Sequence, residues 1–353
     1  MISVVSTYWE VELERVAGNS SGVVIVADSK LPRSYSKCVI DICQKLTNVS
    51  LIEIEGGEKS KTLITVNNIY DFLDVSGTDR KSVLVCLGGG TITDLGGYVA
   101  STYKRGISLV LIPTTVLGMV DAAIGGKTGV NRLVKGSGGV MKNQIGTFYQ
   151  SSLTVLDQTW LSSLPPDEIR SGWAEMAKHA LLVGGAHLNE FMKVSSNLGG
   201  IGKFLKESAE IKEKIVSRDE KENGERASLN LGHTIGHALE SLSLDNESNE
   251  SHTKHGEAVA WGLVFALESS VFKLGFNRDL ASKLQEWIVT GIEKQIELNS
   301  SVEVWSKMCG DKKNVNGNVR DVLLRAPGDI IWDFEWKWEE FTILWEQFRE
   351  KYT

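Results

Sequence analysis

Apolar and polar positions divide this chain into two stretches of different period. In the first, short β-branched runs alternate with segments of helical spacing. Gly22–Ala27 (GVVIVA), Leu51–Glu55, Ser82–Leu87 (SVLVCL) and Leu109–Pro113 predict strands, and Ser60–Leu73 predicts a helix. Continuous apolar runs separated by helical patterns belong to parallel strands covered on both faces. From about Asp157 helical spacing takes over, predicting helices over Asp167–Val183, Leu205–Arg218, Ala227–Leu244, Gly256–Leu274 and Leu280–Leu298. Pro165-Pro166-Asp167 gives the first of them an acidic opening turn. The expected architecture is an α/β domain with a parallel Rossmann-like sheet over residues 1–156, followed by a mostly α-helical domain over residues 157–353. The Gly-rich Gly136–Gly139 and the polar Asp245–Lys254 are expected to be loops.

Bulk properties narrow the class. The 353 residues, 42% apolar and 24% charged, can bury a sizeable core without staples. A net charge of -7 excludes an overall basic field that would recruit nucleic acid or anionic lipid. An anionic small molecule must therefore be held by local Lys and Arg. The opening MISVVSTYWEVELERV alternates apolar and polar residues and lacks the basic and apolar regions of a signal peptide. The most apolar stretch, Leu109–Gly126, is interrupted by Pro113 and Asp121, so no membrane span is expected. Cys38, Cys43, Cys86 and Cys309 have neither zinc spacing nor a disulfide framework, as expected of reduced thiols in a cytoplasmic protein.

Three groups of residues carry candidate chemistry. Gly88-Gly89-Gly90 directly follows a strand, so backbone N–H groups of the next helix can meet phosphate oxygens; a tight structural turn fits equally well. Thr91, Thr93 and Asp94 could cap that helix, or Asp94 could bind a ligand hydroxyl. Asp28, where open α/β sheets bind ligands, could instead be a helix cap. The second group is His233-Thr-Ile-Gly-His237, two imidazoles on one helical face, with His255 after a polar loop. The pair can share an ion, and Glu175, among apolar neighbours, is a candidate carboxylate ligand. Such a set with one position open is catalytic rather than structural. The third group is basic: Lys104-Arg105, the Gly-Gly-Lys127-Thr turn, Lys142-Asn143 at the end of a Gly-rich loop, Lys212, and Arg226 with Asn230. The Walker spacing is absent, because position 121 is Asp, which argues against a nucleotide triphosphatase.

Taken in order, these blocks resemble the dehydroquinate synthase family from about Asp28 to Lys313. The resemblance is carried by GGGTITDLGG, YKRG, PTT, VDAAIGGKTG, KNQIG, AEMAK, NLGHTIGH, HGE and DKK. It implies a homodimeric, NAD-dependent sugar-phosphate cyclase with a zinc or cobalt ion. Its small-molecule substrate would be a phosphorylated seven-carbon keto sugar acid, which becomes a carbocycle as phosphate leaves. It also implies metal ligands Glu175, His233 and His255, which moves His237 from the ion to an acid/base role beside Lys178. NAD contacts would be Asp28, Glu58, Lys61, Gly89, Gly90, Asp94, Thr114, Thr115 and Ser163. Substrate contacts would be Asp121, Lys127, Lys142, Asn143, Lys178, Lys212, Arg226, Asn230 and Lys313, of which Arg226 and Asn230 join Lys178 and His237 as catalytic residues, with Arg105 reaching the phosphate across a dimer interface. Residues 132–141 form a longer link than the family's usual one, a candidate lid or a tolerated loop insertion, and Ala122 and Ala123 stand where many relatives have serine. Two alternatives stay open: cyclases acting on other sugar phosphates share the metal and NAD but change the substrate-side blocks, and metal-dependent alcohol dehydrogenases share a glycine turn and a His-x-x-x-His helix but would leave the Gly-Gly-Lys-Thr and Asp-Lys-Lys blocks unexplained.

Overall fold

β-Branched runs with no polar face need helices on both sides, and this requirement organises the first half of the chain. The computed structural model describes residues 4–5, 8–133, 140–245, 252–310 and 319–353. Two units pack separately, Met1–Pro165 and Pro166–Thr353.

In the first unit the order is β1 (Val4–Val5), α1 (Trp9–Gly18), β2 (Val23–Asp28), α2 (Arg33–Cys43), β3 (Val49–Ile54), α3 (Leu63–Val75), β4 (Val83–Gly88) and α4 (Gly90–Thr102). Next come β5 (Ser108–Pro113), β6 (Lys127–Leu133), β7 (Val140–Phe148) and β8 (Leu153–Val155). A six-stranded sheet runs β1-β8-β5-β4-β2-β3, every pair parallel. On one face Val24, Val26, Leu84, Cys86, Leu109 and Leu111 pack with Val66, Ile69 and Leu73 of α3 and Ile92, Leu95 and Val99 of α4. Each such aliphatic side chain contributes roughly 1.5–3 kcal/mol by leaving water. Strand order reverses between β2 and β4, so Asp28 and Gly88 end adjacent strands at the switch point where open α/β sheets receive ligands.

The second unit contains α5 (Pro166–Val183), α6 (Gly185–Phe191), α7 (Leu198–Ile201), α8 (Leu205–Arg218), α9 (His233–Asp245), α10 (His255–Leu274), α11 (Arg278–Ile292) and α12 (Ser301–Cys309). An antiparallel hairpin, β9 (Arg320–Ala326) and β10 (Asp329–Glu335), leads to α13 (Trp338–Tyr352). Helices α5 and α10 are buried around most of their circumference, as central helices must be. Glycines let their backbones touch. A β-carbon on Gly262 of α10 would lie 1.9 Å from the Gly232 carbonyl oxygen, and one on Gly256 would lie 2.1 Å from that of Ser171 in α5.

The predicted strands and major helices are present, with shifted ends. Ala227–Leu244 is not one helix: Gly232, at φ +76°, separates a 3-10 turn (Glu225–Asn230) from α9. The helix expected to reach Leu298 stops at Ile292, where Glu293 turns left-handed at φ +52°. Lys127 and Lys142-Asn143 are not on a turn and a loop end; they lie on an antiparallel hairpin, β6–β7. Within the alternating N-terminal stretch, Val4–Val5 is a strand and the residues from Trp9 onward are helical, in α1. Gly136–Gly139 lies outside the described residues, as does the candidate lid apart from Arg132, Leu133, Val140 and Met141. Among the described residues no helix is long and apolar enough to cross a membrane.

Candidate functional site

In the first unit the β6–β7 hairpin and the glycine turn gather a polar network. Lys61 is buried, and its Nζ donates to Asp94 Oδ2 at 2.5 Å and Asn143 Oδ1 at 2.6 Å. Asn131, opposite the irregular part of the hairpin, donates to Glu58 Oε1 at 3.0 Å and accepts from Asn143 N at 3.0 Å. Asn143 itself is left-handed, at φ +53°. Burial lowers the Lys61 pKa, but Asp94 and Glu58 outweigh it and hold the ammonium above its ordinary value. Asp94 is therefore a partner of Lys61 in mid-helix, not a cap; Gly89 occupies the N-cap position of α4. A β-carbon on Gly89 would lie 3.0 Å from Thr115 Cγ2, a tight contact that glycine avoids. Thr115 Oγ1 accepts from Gly118 N, and the buried Thr114 donates its backbone N–H to Gly88 O. Asp28 Oδ1 accepts from the N–H groups of Lys30 and Gly56, tying two loops rather than capping α2. Arg105 is exposed in the left-handed region at φ +67°; Lys127 and Ser163 are exposed, while Lys142 and Asp121 are half-buried.

In the second unit three helices converge on one carboxylate. Glu175 of α5 is fully buried. Its Oε1 lies 3.3 Å from His233 Nε2 of α9 and 3.4 Å from His255 Nε2 of α10. Lys178 Nζ, one turn along α5 and also buried, lies 2.5 Å from Oε2. The ion pairs offset part of the burial cost, yet neither Glu175 oxygen receives a hydrogen bond in good geometry. The spacing suits an ion better than a hydrogen bond. Bonds of about 2.0–2.2 Å in a tetrahedral zinc site put neighbouring ligand atoms roughly 3.3–3.6 Å apart. Ligand atoms of Glu175, His233 and His255 all lie within 4.8 Å of one another, so the residues present fit a divalent metal.

The other ring nitrogens are held from behind. His233 Nδ1 donates to Leu231 O at 3.2 Å, and His255 Nδ1 donates to Glu240 Oε2 at 3.3 Å, so both Nε2 atoms face Glu175. Burial opposes ionisation of Glu175, but Lys178 and His233 hold it well below the usual carboxylate range. Burial and the Lys178 charge push His233 down to about 3. His255 is also penalised by burial, yet Glu175 and Glu240 raise it to about 10, a field that favours positive charge at this ring. His237 is half-buried, its ring centroid 5.3 Å from that of His233 and 6.0 Å from that of His255.

Lys212 and Arg226 are buried; Arg226 Nη1 donates to Glu220 O, and its backbone N–H to Asp219 Oδ2. Asn230 donates to Glu222 Oε1 at 3.0 Å. Lys313 lies outside the described residues. Among the residues of these networks that were not predicted are Glu240 and Asn131. Glu240 stands three positions after His237 and seven after His233, so the helical stripe itself could have identified it. Asn131 carried no such signal, because its role depends on the hairpin register.

The family model described as 3-dehydroquinate synthase N-terminal matches residues 51–171, and its C-terminal counterpart matches residues 172–314. A 3-dehydroquinate synthase from Bacillus pumilus is 36% identical over 348 residues, covering 94% of this chain and 92% of the relative. One from Leptospira interrogans is 38% identical over 333 residues, covering 91% and 87%. Among solved structures, 2-deoxy-scyllo-inosose synthase complexed with carbaglucose-6-phosphate, NAD+ and Co2+ superposes with a TM-score of 0.82 at 23% identity, covering 98% of this chain and 96% of that one. At that identity the likeness establishes the fold.

Proposed function

The chain belongs to the 3-dehydroquinate synthase family, and from that premise we propose how its residues divide the work of the reaction. The activity is that of a carbon–oxygen lyase: 3-deoxy-D-arabino-heptulosonate 7-phosphate becomes 3-dehydroquinate and inorganic phosphate. NAD and a divalent metal are its cofactors. Bound to the enzyme, they supply a hydride acceptor restored within each turnover and a Lewis acid for a substrate hydroxyl.

The metal ligands proposed are Glu175, His233 and His255. One observation carries that assignment: a fully buried carboxylate, poorly served by hydrogen bonds, faces two imidazole Nε2 atoms at tetrahedral ligand spacing. Lys178 balances the second Glu175 oxygen, and a buried ammonium there can also exchange a proton with substrate. His237, beside the ligand pair, is the proposed acid/base histidine. Asp28, Glu58, Lys61, Gly89, Gly90, Asp94, Thr114, Thr115 and Ser163 are proposed to hold NAD. A substrate with a carboxylate and a phosphate needs several fixed cations, which an acidic protein must concentrate locally. Arg105, Lys127, Lys142, Lys212, Arg226 and Lys313 are proposed for that task, with Asp121, Asn143 and Asn230 orienting hydroxyls. We also propose a cytoplasmic homodimer in which Arg105 serves the partner's substrate.

The test incubates the purified enzyme with the heptulosonate phosphate, NAD+ and zinc. Expected is one dehydroquinate formed per phosphate released, with no accumulation of NADH. Steady NADH production without phosphate release would instead identify a dehydrogenase and end this reading.

A further inference from the structure

Glu240 has no part in the ligand set or the proton-moving groups, yet it meets the metal cluster from behind. Its side chain is mostly buried, and its Oε2 accepts from His255 Nδ1 at 3.3 Å. The opposite nitrogen of the same ring, Nε2, faces Glu175 Oε1. The two ring nitrogens point to different sides of an imidazole, so a carboxylate on Nδ1 cannot ligate an ion held on Nε2. A carboxylate accepts hydrogen bonds and does not donate them, so the contact places the proton on Nδ1 and leaves the Nε2 lone pair for a metal. Its negative charge also makes the ring a better electron donor.

The neighbouring ligand has a weaker arrangement. His233 Nδ1 donates to a neutral backbone carbonyl, that of Leu231, which is fixed by the main chain and cannot be changed by side-chain substitution. His255 is the first residue of α10, directly after the N-cap Lys254. Glu240 lies on α9, the helix that carries His233, so its bond to His255 ties the two ligand-bearing helices together at the ion.

We propose that Glu240 is a positioning residue for the metal: by holding His255 Nδ1–H it fixes the tautomer and angle of that ligand, and thereby sets the affinity of the site. The inference rests on the ligand assignment proposed above. Partners of this kind typically account for 10–100-fold in metal affinity.

The test measures zinc affinity of the full-length protein by competition with a fluorescent chelator. It compares the parent, Glu240→Gln, Glu240→Ala and Glu175→Ala, and records the thermal midpoint of each metal-free protein. Glutamine retains an oxygen that can accept from Nδ1 but lacks the charge; alanine lacks both. The expected order is parent tightest, Glu240→Gln weaker by about tenfold and Glu240→Ala by up to about 100-fold. Cobalt-loaded samples should show the change as a shifted visible absorption band, which a defect of packing alone would not produce. Unchanged affinity in Glu240→Ala, while Glu175→Ala loses the ion, overturns the positioning role alone. Full affinity in Glu175→Ala overturns the ligand set and this inference with it. Lost affinity matched by collapse of the metal-free protein in both Glu240 variants assigns the residue to packing and also overturns the proposal.

Discussion

A methyl group placed at Gly262, which touches neither ligand nor substrate, should cost the enzyme its metal. Gly262 lies on α10, whose first residue is His255, and it faces the carbonyl of Gly232, the residue before His233. A β-carbon there would stand 1.9 Å from that oxygen, whereas real β-carbons do not come within 3.0 Å of such an atom. The two backbones must therefore separate by about 1.1 Å, since neither contact atom is the end of a flexible side chain. Metal–ligand distances tolerate only about 0.2 Å of error, so His233 and His255 cannot both stay in reach of one ion. Gly262→Ala should weaken zinc binding by about 100-fold, or roughly 2.7 kcal/mol, and destabilise the metal-free protein by a further 1–3 kcal/mol or so. Chelator competition gives the first quantity and denaturant unfolding of the stripped protein the second. Phe272→Ala, on the exposed side of the same helix, is the control and should bind zinc like the parent. If Gly262→Ala folds and holds zinc within twofold of the parent, the helices can adjust without disturbing the ligands, and the reasoning from close contact is wrong.

Two further outcomes follow from the same geometry. Lys61→Met leaves Asp94 without its ammonium and Asn143 Oδ1 without a donor, so it should cost about 3 kcal/mol and lower the midpoint by roughly 6–12 °C; a change of only a degree or two would show that the network is dispensable to the fold. Exhaustive chelation should lower the thermal midpoint, and zinc or cobalt at about 100 times its Kd should restore close to 2.7 kcal/mol. Magnesium should not substitute, because two imidazoles and a carboxylate suit borderline metals and not a hard, strongly hydrated ion; equal rescue by magnesium would contradict the ligand set.

The fold was readable where burial is continuous. Val23 to Ala27 and Val83 to Gly88 have no exposed position, so neither run fits anything but a strand covered on both faces. Elements whose burial depends on distant partners were not read. The β6–β7 hairpin carries Lys127, Lys142 and Asn143, yet its glycines and charges look like loop composition; pairing made strands of it, with Gly129 opposite Gly146. The aromatic segment after Arg320 supplies Trp336, Phe341, Trp345 and Phe348, whose rings cluster with that of Phe265. Phe341, Trp345 and Phe348 share one helical face by their i, i+4, i+7 spacing, but no local period announces that Trp336, just after β10, and Phe265 of α10 join them.

The histidine helix shows the same limit at the level of a single site. Spacing alone makes His233 and His237 equivalent, since i and i+4 share a face. What separates them is the third helix. Gly256 brings the start of α10 against Ser171 of α5, where a β-carbon would lie 2.1 Å from the serine oxygen, and this sets His255 beside Glu175. With that contact fixed, Glu175, His233 and His255, one from each helix, bring ligand atoms within 4.8 Å of one another, and His237 lies a turn further along α9. A sequence lists residues that can bind an ion. The close approaches permitted by glycine decide which of them meet.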